Sequence, residues 1–404
     1  MNVTLLNRDS NEFGRVITGV DIEKLSTDDF NLINDLLHKY SVLSFKNVDL
    51  SPENQDKLTR VGIRSTTVPS SHPQLFDPAA KGYGHGNNKT GSSKKSILHP
   101  DLKTIPRIPT VQVIGNGNVY NHEGLQEAKL KHPHHKTFHK TKVSEEDEKK
   151  GITRFYRWHI DAALYDLDPP KVTTLYAIKV PQGPFQTLRY DDGSGEELKV
   201  PLGSTAFVSG KKMFEILPEN YKSLAVRTEV VYAAHPYVWM SKAKSRSNGL
   251  GLETEGLELS YDELPDVEES KIKTYPLLWK NKVTDDLHFQ VHPSAIAELK
   301  IKPITSENKR KTDSLYPDGA HITELGKVRE IIYNMQRPAI KPEYVYAHEW
   351  NERDLIIFQN RQVLHSVVGA FEEDQVRVFH QCNLAASENE PIVGPSVDDV
   401  EQYL

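Results

Sequence analysis

Cysteine is almost absent: Cys382 is the single one among 404 residues. One thiol excludes an internal disulfide framework, a thiolate zinc finger and an iron–sulfur cluster held by one chain. The natural compartment for such a chain is the reducing cytoplasm. Long apolar runs are missing too, since no stretch reaches the roughly 18 residues that a spanning helix needs. The opening MNVTLLNRDSNEFG lacks a basic stretch followed by an apolar one, so neither export nor membrane insertion is expected. Nor is there an excess of positive charge: 50 Lys and Arg stand against 56 Asp and Glu, a formal net charge of −6. Without a basic field a polyanionic backbone is not attracted, and nucleic acid is not an expected partner. Apolar residues make up only 37% and charged ones 26%, which implies solvated insertions around a smaller core. A homo-oligomer is left open.

What is present is a series of short strand-like runs. GRVITGVDI reads as a strand, 28–40 as a helix capped by Ser26 or Thr27, SVLSFKNV as a strand, and the residues after Ser51-Pro52 as a second helix. IPTVQVIGNG, TRFYRWHIDAAL, KVTTLYAIKV, TLRYDD, TAFVSG, LIIFQN and QVRVFHQCNL are rich in Val, Ile, Thr and aromatics and bounded by turn residues. The expected fold is α+β, mainly β: a jelly-roll (double-stranded β-helix) core with flanking helices. It forms one domain over 1–404, with charged insertions near 65–104, 120–150, 242–275 and 302–325. The segment 65–104 reads as a loop over a site or a surface segment, and 120–150 as an excursion that can close over a site.

His159 and Asp161 lie two apart in a strand-like run, so both side chains project from one face and can chelate one ion. Two histidines and one carboxylate leave three coordination positions open, as an iron that holds both a bidentate cosubstrate and O2 requires. Alone the pair is weak, because about one His-x-Asp is expected by chance in a chain of this composition. A rival, His99-Pro100-Asp101, has a central Pro that cannot donate to a ladder. The third ligand is sought late in the chain, where LIIFQ runs through Asn360-Arg361 to His365. Arg377, in the next strand, suits a buried distal carboxylate such as that of 2-oxoglutarate, and Thr187 could add a hydroxyl there. Taken singly, His365 and Arg377 are more often ordinary structural residues. It is their order and spacing together that agree with one chemistry.

These residues, with GRVITGVDI, SVLSFKNVDLSPENQDKL and DLIIFQNRQVLHSV, resemble the taurine dioxygenase-like superfamily of Fe(II)/2-oxoglutarate dioxygenases across nearly the whole chain. More narrowly, TRFYRWHIDAALYDLDPPKVTTLYAIKVPQG and VRVFHQCNLA look like the fungal xanthine dioxygenases. The resemblance implies hydroxylation of xanthine at C8 to uric acid, in purine catabolism, with 2-oxoglutarate and O2 consumed and succinate and CO2 released. It carries over His159, Asp161 and His365 as iron ligands, Thr187 and Arg377 as cosubstrate contacts, and Gln381 and Asn383 as purine contacts. It also implicates Gln112, Lys131 and the acidic pair Glu146-Asp147. Crowding between 120 and 150 leaves Lys129 or Lys136, and Asp147-Glu148, as alternatives.

Alternation gives a check on the purine face. From 376 to 384 it places Arg377, Phe379, Gln381 and Asn383 on one side and Val378, His380, Cys382 and Leu384 on the other. Inward carboxamides need partners, either a protein network or a polar heterocycle. SEEDEKK by itself reads as a solvated charge run, and KHPHHKTFHK as a place of adventitious binding or an exposed basic patch rather than a second metal site. Two rival functions stand beside the xanthine reading. One is the same chemistry on a sulfonate or secondary metabolite, because the triad selects iron and not substrate. The other is a non-catalytic jelly-roll that binds a small ligand.

Overall fold

The N-terminal helix shows how local sequence sets up the scaffold. Ser26 Oγ accepts from Asp29 N at 3.1 Å, two aspartates fill the first turn, and Thr27–Tyr40 is helical. It ends where Ser41 adopts φ 65 and donates its N–H to Leu37 O. Phe30, Ile33 and Leu37, spaced for one helical face, are buried with Leu43, Phe45, Leu355 and Ile357 of the neighbouring strands. Each such side chain contributes roughly 1.5–3 kcal/mol. A second helix, Pro52–Arg60, starts after Ser51 with Pro in its first turn. Its Gln55 amide reaches the sheet at Thr174 Oγ1 (3.1 Å) and His380 O (3.3 Å).

In this computed structural model the described residues are 1–6, 13–60, 81–82, 102–372, 374–386 and 391–404. His99-Pro100-Asp101 and most of 65–104 lie outside them. Among the described residues the architecture is mixed α+β with mainly strands. The largest sheet has the spatial order Asn2–Leu5, Arg15–Thr18, Val42–Phe45, Leu355–Gln359, Val172–Lys179, Arg377–Ala385, Ile108–His122 and Lys103–Ile105. A smaller sheet orders Tyr346–His348, Thr205–Ser209 and Val363–Val367. Leu175, Ala177, Phe358 and Phe379 of the first pack with Phe207 and Val363 of the second in one buried cluster. A larger cluster joins Thr228–Tyr232, Ile296–Ile301 and the helix Leu325–Gln336. No helix among the described residues is long and apolar enough to cross a membrane.

Two local expectations differ from the structure. TRFYRWHIDAAL is not a continuous strand: beyond Ile152–Thr153 it makes only isolated bridges, Phe155 with Val368 and His159 with His365. Its N–H groups go to different neighbours in turn, Tyr156 to Val367 O, Trp158 to Gly249 O and Asp161 to Asn360 Oδ1. The donors are satisfied without a ladder. The insertions are also more deeply built in than surface excursions. Leu250 and Leu252 of 242–275 belong to the larger core cluster. The 120–150 stretch carries the end of the long strand, the strand Leu125–Leu130 and the helices His135–Phe138 and Glu145–Lys149.

Candidate active site

The bridge between His159 and His365 is where the site begins. Each donates its N–H to the other's carbonyl at 3.0 Å, the hydrogen-bonded antiparallel pairing that sends both side chains to one face. Their rings stand 4.1 Å apart at 40°. Asp161, two residues on, projects from the same face, and its Oδ1 lies 3.6 Å from His159 Nε2 and 3.5 Å from His365 Nε2. Trp158, just before His159, and the intervening Ile160 point into the core. One candidate ligand atom from each of the three residues lies within 4.8 Å of the other two.

The protonation states suit a cation. His159 Nδ1 is 2.9 Å from Arg157 O, and a carbonyl only accepts, so Nδ1 carries the proton and Nε2 keeps its lone pair toward Asp161. Burial, with His365 close by, pushes His159 well below the usual imidazole range, and burial also lowers His365. Burial disfavours ionisation of Asp161, but the neighbouring imidazoles and hydrogen bonds from Thr173 and Asn383 outweigh it. Two neutral imidazoles and one carboxylate thus converge, a donor set that fits Fe(II) with positions to spare.

Around Asp161 every other polar atom is engaged. Oδ2 accepts from Thr173 Oγ1 at 2.9 Å and Gln381 Nε2 at 3.2 Å. The Asn360 side chain accepts from Asp161 N and donates to Asp161 O, both at 2.8 Å. Asn360 ends the strand Leu355–Gln359 and leads into Val363–Val367, which carries His365. One amide therefore fixes the carboxylate segment against the turn feeding the second histidine.

The triad opens into a cavity of about 260 Å³, lined among others by His159, Asp161, Gln112, Lys131, Arg377, Gln381 and Asn383. Arg377 is buried, its guanidinium 3.7 Å from the centroid of Phe379, and its Nε has no hydrogen-bond partner among the described residues. Burial lowers it to about 9, which leaves it charged at neutral pH, and among the described residues no carboxylate pairs with it. An unpaired buried guanidinium calls for an anionic ligand. The strand beside it can approach because of Gly115, where a Cβ would stand 1.8 Å from Arg377 O. Gln112 faces Gln381 across the ladder and donates to Asn383 Oδ1 at 3.0 Å. The alternation holds: Val378, Cys382 and Leu384 sit in a cluster on the far side, and His380 meets His122 there. The inward amides are partly spent on protein partners.

Three residues from the sequence reading are not brought to the cavity. Glu146 is 81% exposed on the helix Glu145–Lys149 and pairs with Lys150 at 2.7 Å, while Asp147 pairs with Arg189 at 2.9 Å. Thr187 sits half-buried in Gln186–Arg189, on the face it shares with Arg189 rather than with buried Leu188. Of the alternatives, Lys129 does line the cavity, as does Lys131, whereas Glu148 pairs with Lys136. Sequence reasoning missed Arg157, Tyr156, Tyr237 and Lys103, which also line it, and the anchors Thr173 and Asn360. For Arg157 a signal existed: it precedes His159 by two, the same spacing that links His159 to Asp161.

Comparison with known proteins follows from this geometry. The family model described as taurine catabolism dioxygenase TauD, TfdA family matches residues 6–124 and 115–383. The chain is 52% identical over 378 residues to the alpha-ketoglutarate-dependent xanthine dioxygenase xanA of Emericella nidulans, covering 93% of this chain and 94% of that protein. It is 50% identical over 390 residues to the alpha-ketoglutarate-dependent xanthine dioxygenase xan1 of Schizosaccharomyces pombe, covering 96% and 87%. A solved taurine dioxygenase from Burkholderia xenovorans superposes with TM-score 0.54 at 14% identity, over 99% of this chain and 97% of its own. That last likeness is one of fold.

Proposed function

We propose, from the premise that this chain belongs to the TauD, TfdA family of dioxygenases, that it hydroxylates xanthine at C8 to give uric acid. As a member it is an Fe(II)/2-oxoglutarate-dependent oxidoreductase that uses O2. The observation that carries the proposal is one cavity containing a two-histidine, one-carboxylate cluster, an unpaired buried arginine and inward carboxamides, together with about 50% identity to xanthine dioxygenases over almost the whole chain. On this reading the large sheet and the sheet carrying His365 are the two walls of a jelly-roll, and 1–404 is one domain.

His159, Asp161 and His365 hold the iron, which when bound couples oxidative decarboxylation of 2-oxoglutarate to insertion of one oxygen atom into a C–H bond. Arg377 takes the distal carboxylate of 2-oxoglutarate by a forked, charge-assisted contact, with Phe379 behind its guanidinium. Thr173 and Gln381 hold the Asp161 carboxylate and Asn360 holds its backbone, so the ligand set is formed before the metal arrives. Gln381 and Asn383, with Gln112 behind them, offer donors and acceptors to the purine edges, and Lys131 adds a cation at the rim. Apolar lining from Leu130, Ile114 and Val367 excludes water from the reacting face.

The test is an anaerobically loaded enzyme, Fe(II) with 2-oxoglutarate, exposed to O2 with and without xanthine while succinate and uric acid are followed. Equimolar succinate and uric acid are expected. Succinate formed slowly and unaltered by xanthine would keep the oxygenase and discard the purine.

A further inference from the structure

Arg157 is a second guanidinium in the same cavity, and it has no evident structural task. It lies two residues before His159 in the extended run and lines the cavity. Aromatic rings surround it, with centroids 4.5 Å (Phe138), 5.5 Å (Tyr156) and 5.8 Å (Tyr237) from its Cζ. Among the described residues its guanidinium has one hydrogen-bond contact, from Nη1 to Met240 Sδ at 3.7 Å, a weak acceptor. Among the described residues no carboxylate pairs with it. A guanidinium has five donors in a fixed planar fork, so most of those donors lack a partner among the described residues.

The surrounding charges say what is missing. Lys103, Lys129, Lys131, Arg157 and Arg377 line the cavity, and Asp161 is the sole carboxylate among the described lining residues. Both Asp161 oxygens are committed, Oδ1 toward the two imidazoles and Oδ2 to Thr173 and Gln381. 2-Oxoglutarate brings two carboxylates: one takes Arg377 and the other goes to the metal. One guanidinium remains, held among the rings of Phe138, Tyr156 and Tyr237 and two residues from the triad's His159.

We propose that Arg157 is a specificity-determining residue that forks onto two adjacent acceptors on the carbonyl-bearing edge of the substrate ring, selecting electron-rich or anionic oxopurines over neutral, apolar rings. This rests on the xanthine reading above. The cradle is part of the device: aromatic faces hold the cation by cation–π attraction without occupying its in-plane donors, which stay free for the ligand. Arginine reading two adjacent acceptors on a purine edge is an established geometry of recognition.

The experiment measures xanthine and 2-oxoglutarate binding separately, by calorimetry on anaerobic Fe(II) enzyme, for wild type, Arg157→Met and Arg157→Lys. Methionine keeps an apolar stem in the cradle without the charge; lysine keeps charge without the fork. For Arg157→Met the xanthine Kd should rise about 10- to 100-fold, the range expected when a charged donor is lost, with the 2-oxoglutarate Kd within about twofold. Arg157→Lys should recover only part of the loss. A xanthine Kd unchanged in Arg157→Met overturns the proposal and makes the residue a packing element. An equal rise in the 2-oxoglutarate Kd also overturns it, assigning Arg157 to the cosubstrate. If the wild type itself binds no xanthine, both this proposal and the purine reading fall.

Discussion

The two ends of the cavity are built on opposite principles. At the triad, Asp161 is held by Thr173, Gln381 and both atoms of the Asn360 amide, and the two histidines by reciprocal backbone bonds. Along the rest of the lining, Lys129, Lys131 and Arg157 have no carboxylate partner among the described residues, and Lys129 and Lys131 are exposed. The first end is finished before any ligand arrives; the second is completed by one. A rigid set of donors fixes the chemistry, and an under-satisfied rim leaves the choice of substrate to whatever can neutralise it.

Substitutions can break or sharpen this contrast, beginning with the largest effect. Asp161→Ala should abolish stoichiometric Fe(II) binding and all succinate formation; equimolar iron retained by the variant would show that the finished end lies elsewhere. Arg377→Gln should raise the KM for 2-oxoglutarate about 100-fold, the loss expected for a forked charged pair, while equilibrium dialysis finds iron binding intact. Asn360→Ala removes neither a ligand side chain nor a residue of the cavity lining, yet it should weaken Fe(II) affinity by about 10- to 100-fold, as outer anchors of metal ligands do. An unchanged affinity would mean the pinning of Asp161 contributes nothing.

Asn383→Ala sits on the boundary between the ends, because it contacts both Gln112 and Asp161. Its kcat/KM for xanthine should fall about tenfold, with iron and 2-oxoglutarate affinity nearly unaffected. Equal loss of all three would move Asn383 to the triad's support. The smallest effect is expected at Glu146→Gln, less than about twofold in any parameter, as for an exposed ion pair. A tenfold loss of xanthine turnover would bring the helix Glu145–Lys149 into the site.

The same contrast explains what could be read from the sequence. His159 and Asp161 were legible because i, i+2 spacing survives even where the ladder is broken, and Arg377, Gln381 and Asn383 because strict alternation runs through 377–384. The helix Thr27–Tyr40 was legible from a cap and an apolar stripe. Arg157 was not, since its role depends on Phe138 and Tyr237 arriving from other parts of the chain, and no period in a single segment records that. Glu146 and Asp147 show the converse: the resemblance placed them at the substrate, while the local pattern, an acidic first turn with Lys150 four residues on, described where the structure puts them. Asn360 was visible as a turn residue, but its double hydrogen bond to a residue far away in sequence leaves no local trace.

The pairing of His159 with His365 also sets an order in time. About 200 residues separate them, so roughly 10–40 s of translation pass between the two at ordinary rates of synthesis. Through that interval the nascent chain carries His159 and Asp161 but not His365, and Arg377 has not yet been made. A chain that stops before Val363–Val367 therefore cannot close the triad, and the metal site matures only on a nearly finished polypeptide. On the proposed ligand set, a fragment that ends before His365 carries two of the three ligands and leaves the iron site incomplete.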